Sequence, residues 1–129
     1  MIGAQLQKAL FDALTAADVA GGRVYANPPP SAAFPYVTIG DEQTIPDEFD
    51  CGAGFEIYPD VHIWSHPANG SKAEIKGLVA DAAAAILAIS AVSGFSVVSC
   101  RLDTSRVLRD PDGITEHAVL TFLFVLDEA

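Results

Sequence analysis

A chain of 129 residues, half of them hydrophobic, is long enough for one domain around one core and too apolar for disorder. Its 7 basic and 17 acidic residues leave a formal charge of −10. That balance excludes a surface that grips nucleic acid through clustered cations, or one drawn to an anionic membrane. DNA sliding past without adhering remains compatible, because like charges repel.

The apolar positions Ile2, Leu6, Leu10 and Leu14 recur every four residues and predict a helix over 2–17, with Ala9, Ala13 and Ala17 beside the stripe and Gln5, Lys8 and Asp12 on the wet side. Gly21-Gly22 ends that region, and Arg23-Val24-Tyr25-Ala26 reads as a short extended piece. Pro28-Pro29-Pro30 forces a stiff linker. A strand is expected over 34–40, with Val37 and Ile39 facing one way and Tyr36 and Thr38 the other. The segment 41–54 collects Asp41, Glu42, Asp47, Glu48 and Asp50 around Pro46, Gly52 and Gly54 and keeps neither period, so it reads as a mobile acidic loop or loose hairpin arm.

A second strand follows over 55–65, with Phe55, Ile57, Val61 and Ile63 toward the core and Glu56, Tyr58, Asp60, His62 and Trp64 away from it. Pro59 within it predicts an edge position or a bulge. Ser71 with Glu74 has the form of a capping box opening a helix, whose buried side would be Ile75, Leu78, Val79, Ala82, Ile86 and Ile89. A long hairpin over 96–126 closes the chain, turning at Asp110-Pro111-Asp112-Gly113: Pro111 presets φ and Gly113 takes the left-handed position. On the returning strand Ile114, Glu116, Ala118, Leu120, Phe122, Phe124 and Leu126 share one face; Thr115, His117, Val119, Thr121, Leu123 and Val125 share the other, only partly polar, face. A strand apolar on both sides asks for cover on both sides. Helices of the same chain supply one cover, and a neighbouring subunit is the candidate for the other.

The expected fold is α+β: one domain over 1–129, a mainly antiparallel four-stranded sheet with two helices on one face, in the order helix, strand, strand, helix, strand, strand. The first residues lack a basic n-region, so no signal peptide is expected. The greasiest run, 78–92, falls short of the ~20 residues of a membrane span and contains Asp81. The sequon Asn69-Gly70-Ser71 carries no weight without export. Cys51 and Cys100, in separate segments with no motif between them, read as free thiols.

Chemistry is sparse. His62 and His66 lie four residues apart on a strand, which separates them by ~13 Å, too far for one ion; His117 belongs to another element. The carboxylates of 41–50 lack a calcium-loop pattern. Ser99, Cys100, Thr104 and Ser105 lie in a strand without a glycine-bounded elbow, and Cys100 alternates with Val98 and Leu102 as a small hydrophobe. No phosphate loop or dinucleotide fingerprint is present. Arg101, Arg106 and Arg109 form the arginine cluster, with Asp103, Glu116 or a partner's acids as counter-charges. No catalytic residue, metal or cofactor is expected; the competing class, a small enzyme or ligand-binding domain, would have to use Cys100, His62 or these arginines.

Several segments together resemble one family: Ala13-Leu14-Thr15-Ala16, Gly22-Arg23-Val24-Tyr25, 34–41 (FPYVTIGD), His62-Ile63-Trp64-Ser65 ahead of the second helix, and 106–113 (RVLRDPDG) with its returning strand. In order and spacing they are similar to the tail-completion proteins, or tail terminators, of long-tailed phages and gene transfer agents. The resemblance implies a structural particle protein without catalytic residues. Such a protein forms a ring, usually a hexamer, on the tail tube, stops its polymerisation and offers a surface to the head connector, with DNA passing through the lumen. It would be assembled in the bacterial cytoplasm, with the tube protein and a head-completion protein as partners; a head–tail connector or minor tail protein is the nearest alternative. The residues proposed to meet a neighbouring copy or partner are Arg106, Arg109, Asp110, Asp112, His117, Trp64, Asp47 and Glu48.

Overall fold

A computed structural model describes residues 2–49 and 52–129. Asp50 and Cys51 lie outside the described residues. Helix α1 (Ile2–Ala16) leads through a 3-10 turn (Val19–Gly22) to strand β1 (Val24–Tyr25). Strands β2 (Tyr36–Phe49) and β3 (Gly52–Ser65), helix α2 (Ala73–Leu87), and strands β4 (Ala91–Val92), β5 (Phe95–Arg109) and β6 (Glu116–Glu128) complete the order. The sheet is six-stranded, β1-β2-β3-β6-β5-β4, not four-stranded: two-residue strands are added at both margins, and β1 runs parallel to β2 while every other pair is antiparallel. Strands this short carry no readable period, which hid β4.

Ile2, Leu6, Leu10 and Leu14 are all buried, as their spacing predicts. They join Ile75, Ala82 and Ile86 of α2 and the alternate residues Ala118, Leu120, Phe122, Phe124 and Leu126 of β6 in one cluster, so both helices lie on the same face of the sheet. Helix α1 touches β1 and β2 near one margin and β4 at the other. The sheet therefore curls around it. Register shifts at Ile39/Glu42 in β2, and at Val97/Ser99 and Leu102/Thr104 in β5, supply the bends.

These bulges also correct the face assignments. Val97, Cys100 and Leu102 pack toward the core, whereas Val98, expected in phase with them, is 58% exposed beside the first bulge. Pro59 sits in β3, an interior strand, and not at an edge; the irregularity it signals falls on β2, whose register slips opposite it. Ile114 is 64% exposed in the turn, and the buried face of β6 begins at Glu116. Ser71 Oγ accepts from the Ala73 N–H at 3.1 Å, but Glu74 does not complete the box: it accepts from Ser65 Oγ instead. Gln5 is not on the wet side. Its Oε1 is buried without a partner among the described residues, beside a cleft of about 580 Å³ between α1 and residues 89–93.

Candidate functional site

The described residues of the segment 41–54 are paired strand, from Glu42↔Pro59 through Phe49↔Gly52. Because β1 covers only Val37 and Thr38, the rest of β2 is a free sheet edge. Asp41, Glu42, Asp47, Glu48 and Pro46 occupy it, the residue types that keep an open edge from pairing indiscriminately. At the opposite margin β4 covers only Phe95 and Ser96, so the rest of β5 is the second free edge. That edge carries the exposed Arg101, Arg106 and Arg109. One margin is acidic and the other holds the arginines.

The 110–115 turn is clasped from below. Asp110 O accepts from the Gly113 N–H at 3.0 Å, and Gly113 takes φ 77°, as the turn residues predict. The Asp112 carboxylate accepts from the Ile114 and Thr115 N–H groups and from Thr115 Oγ1 at 2.6–2.9 Å. Thr115 Oγ1, having donated its proton, accepts from His66 Nε2 at 2.7 Å. Glu116 is 1% exposed, held by Lys72 Nζ at 2.5 Å and Arg109 at 2.8 Å; Arg109 also donates to Gly70 O. The Lys72 hydrogen bond foremost, with help from Arg109, holds the Glu116 carboxyl below its ordinary range against the opposing effect of burial. The Thr115 hydroxyl, then the two N–H groups, do the same for Asp112.

On the face away from the helices, β-sheet register places Tyr36, Trp64, His117 and Leu108 in one row across four strands. Trp64 stacks on His117 at 3.7 Å and 10°, and its Nε1 donates to Thr38 Oγ1 at 3.3 Å. His62 Nδ1 faces His117 Nε2 at 2.8 Å. Burial, and His62 beside it, push the His117 pKa down while the Asp110 charge opposes them. Burial, and the same Asp110, push the Tyr36 phenol up. His66 is elsewhere, stacked on Phe34 at 3.7 Å.

The proposed contact residues thus divide. Trp64 and His117 stack on the outer face; Asp110 belongs to the turn, from which its charge acts on His117; Arg109 and Asp112 serve the turn clasp; Arg106 stands exposed on the β5 edge; Asp47 and Glu48 lie on the β2 edge. Sequence reading missed Lys72 and His66 as clasp members and Tyr36 as part of the outer-face row. Cys100 is half buried, its thiol pushed up to about 11 by burial, which keeps it protonated and unreactive at neutral pH. A Cys100→Ala protein is expected to fold and to support particle assembly at the wild-type level in a complementation assay; loss of assembly by a folded variant would return the thiol to consideration.

A family model described as tail completion protein gp17 matches residues 8–127. The chain belongs to this family. Tail completion proteins are structural proteins of the virion tail. The tail completion protein gp17 of Bacillus phage SPP1 is 28% identical over 107 residues, covering 81% of this chain and 77% of the phage protein. Among solved structures, a chain of the virion of a native gene transfer agent particle superposes with a TM-score of 0.86 at 20% identity, covering 98% of this chain and 97% of that one. This tail completion protein therefore shares its whole curled sheet and both helices with a particle component. Among its described residues, no helix is long and apolar enough to cross a membrane.

Proposed function

We propose that the protein closes into a ring on the end of the tail tube, ends the tube's polymerisation and presents a joining surface to the head connector, in a phage virion or gene transfer agent particle assembled in the bacterial cytoplasm. The observation that carries this reading is the pair of unlike free edges. Acidic β2 and arginine-bearing β5 lie at opposite margins of one sheet, so a head-to-tail contact sets one copy's acids against the next copy's arginines. Repeated with rotation, such a heterologous contact closes a ring, here of six copies as the family resemblance implies. The fit of opposite charges raises the encounter rate and fixes the register. The net charge of −10 lets DNA traverse the lumen without sticking.

Deleting the gene in a particle-producing strain is expected to yield tails of uncontrolled length or heads without tails by electron microscopy. Light scattering of the purified protein, at high concentration or with tail tubes added, should reveal a ring-sized species. Normal particles from the deletion strain would remove the reading.

A further inference from the structure

We propose that His62 and His117 form a binding site for a divalent transition-metal ion of the nickel or zinc type, on the outer face of the sheet. The strand spacing that separates His62 from His66 says nothing about neighbouring strands, and β3 and β6 are neighbours. Pairing Trp64 with His117 and His62 with Val119 makes the two histidines diagonal neighbours on one face. Their facing atoms, His62 Nδ1 and His117 Nε2, are 2.8 Å apart.

In the metal-free pair one nitrogen donates its proton to the other. Moving that proton to the far nitrogen of its own ring leaves two neutral imidazoles with both lone pairs inward, so the site forms without ionising either ring. A tetrahedral ion with metal–nitrogen bonds of about 2.0 Å needs its nitrogens about 3.3 Å apart. The observed pair meets head-on, with ring centroids 5.1 Å apart, so sharing an ion needs the rings to part by about half an ångström and each to tilt by about 35° to aim its lone pair at the metal.

Each ring rests on a neighbour. His117 lies flat against Trp64 at 3.7 Å. His62 lies over Gly40, where a Cβ would come within 2.8 Å of its Cδ2 and Nε2. The missing side chain of Gly40 is what makes room for the imidazole. An open cleft of about 420 Å³, lined by His62, Trp64, Asp41 and Thr38 among others, gives solvent and ions access. Asp41 beside this cleft and Asp110 near His117 supply a negative field. Among the described residues, no third histidine, cysteine or acid completes a larger ligand cluster, so water fills the remaining positions.

Trp64 is the only tryptophan of the chain and touches one of the two ligands, so it reports on the site directly. Titrating tag-free protein with Ni²⁺ is expected to quench its fluorescence saturably, at one ion per chain by equilibrium dialysis. Zn²⁺, which has no open d shell, should displace Ni²⁺ and restore the emission. His62→Ala and Gly40→Ala should each weaken Ni²⁺ binding in dialysis by at least about tenfold, while His66→Gln leaves it unchanged. If His62→Ala fails to fold by circular dichroism, His62→Asn, whose amide can still meet His117, serves in its place. Absence of saturable binding, or equal affinity in the His62 variants and the parent, overturns the proposal.

Discussion

Replacing Phe122 with alanine is expected to lower the unfolding free energy by about 3–5 kcal/mol, a large share of the ~5–15 kcal/mol that holds a domain of this kind. Phe122 is fully buried at the middle of β6, between Leu120 and Phe124 on the face that receives both helices. β6 is itself flanked on both sides, by β3 and β5. Neither a helix nor a strand can close the cavity without giving up contacts elsewhere, because the curled sheet already bears on α1 from both margins. The measurement is urea unfolding: the midpoint should fall with the slope unchanged. Val98→Ala makes the internal comparison. Val98 is just as apolar by composition, but it is 58% exposed at a bulge, and its loss should stay within about 0.5 kcal/mol. Equal losses at the two sites would mean that the alternation of β6 does not define the core.

The two long helices and the final hairpin were legible because their information is periodic and local. Leu6, Leu10 and Leu14 repeat at the helical spacing and Ala118, Leu120, Phe122 and Phe124 at the strand spacing, and each set is buried. Pro111 and Gly113 specify a turn from within four residues. What failed to show was non-local. The acids of 41–48 have no period because they serve an edge and not a core, so the strand there read as a loop or a loose hairpin arm. A bulge shifts the phase without changing the composition, which put Val98 on the wrong face. The family, by contrast, was legible from an ordered set of short segments, no single one of which carries chemistry.

The outer face shows the same limit at the level of the site. Trp64, His62 and His117 were each visible as a residue pointing away from the core, but strand register decides which of them touch, and register comes from pairing with β3 as a whole. The arginines illustrate the converse. Glu116 was named among the counter-charges for the cluster, and Arg109 takes it; Arg101 takes Asp103 at 3.2 Å. Arg106 is left exposed at the edge where a neighbouring copy would arrive.

Glu116→Gln is expected to give the largest loss of melting temperature of any substitution outside the apolar core, and to change how stability depends on pH. The carboxylate is nearly inaccessible and lies between Lys72 and Arg109; the amide keeps the shape but leaves two cations facing a neutral group. Because the folded-state pKa of Glu116 is depressed, its ionised form stabilises the native state fully above about pH 5 and progressively less as pH falls through the folded-state value. Asp112, depressed by its hydrogen bonds to Thr115 and Ile114, contributes in the same direction. The gap in melting temperature between native protein and Glu116→Gln should therefore be widest near neutral pH and narrow in acid, with the native protein showing the steeper acid limb. Arg109→Gln should cost less than Glu116→Gln, since Lys72 still faces the carboxylate. Scanning calorimetry from pH 7 down to pH 3 decides it. A gap that stays constant across that range would show that the clasp owes its strength to packing and not to charge.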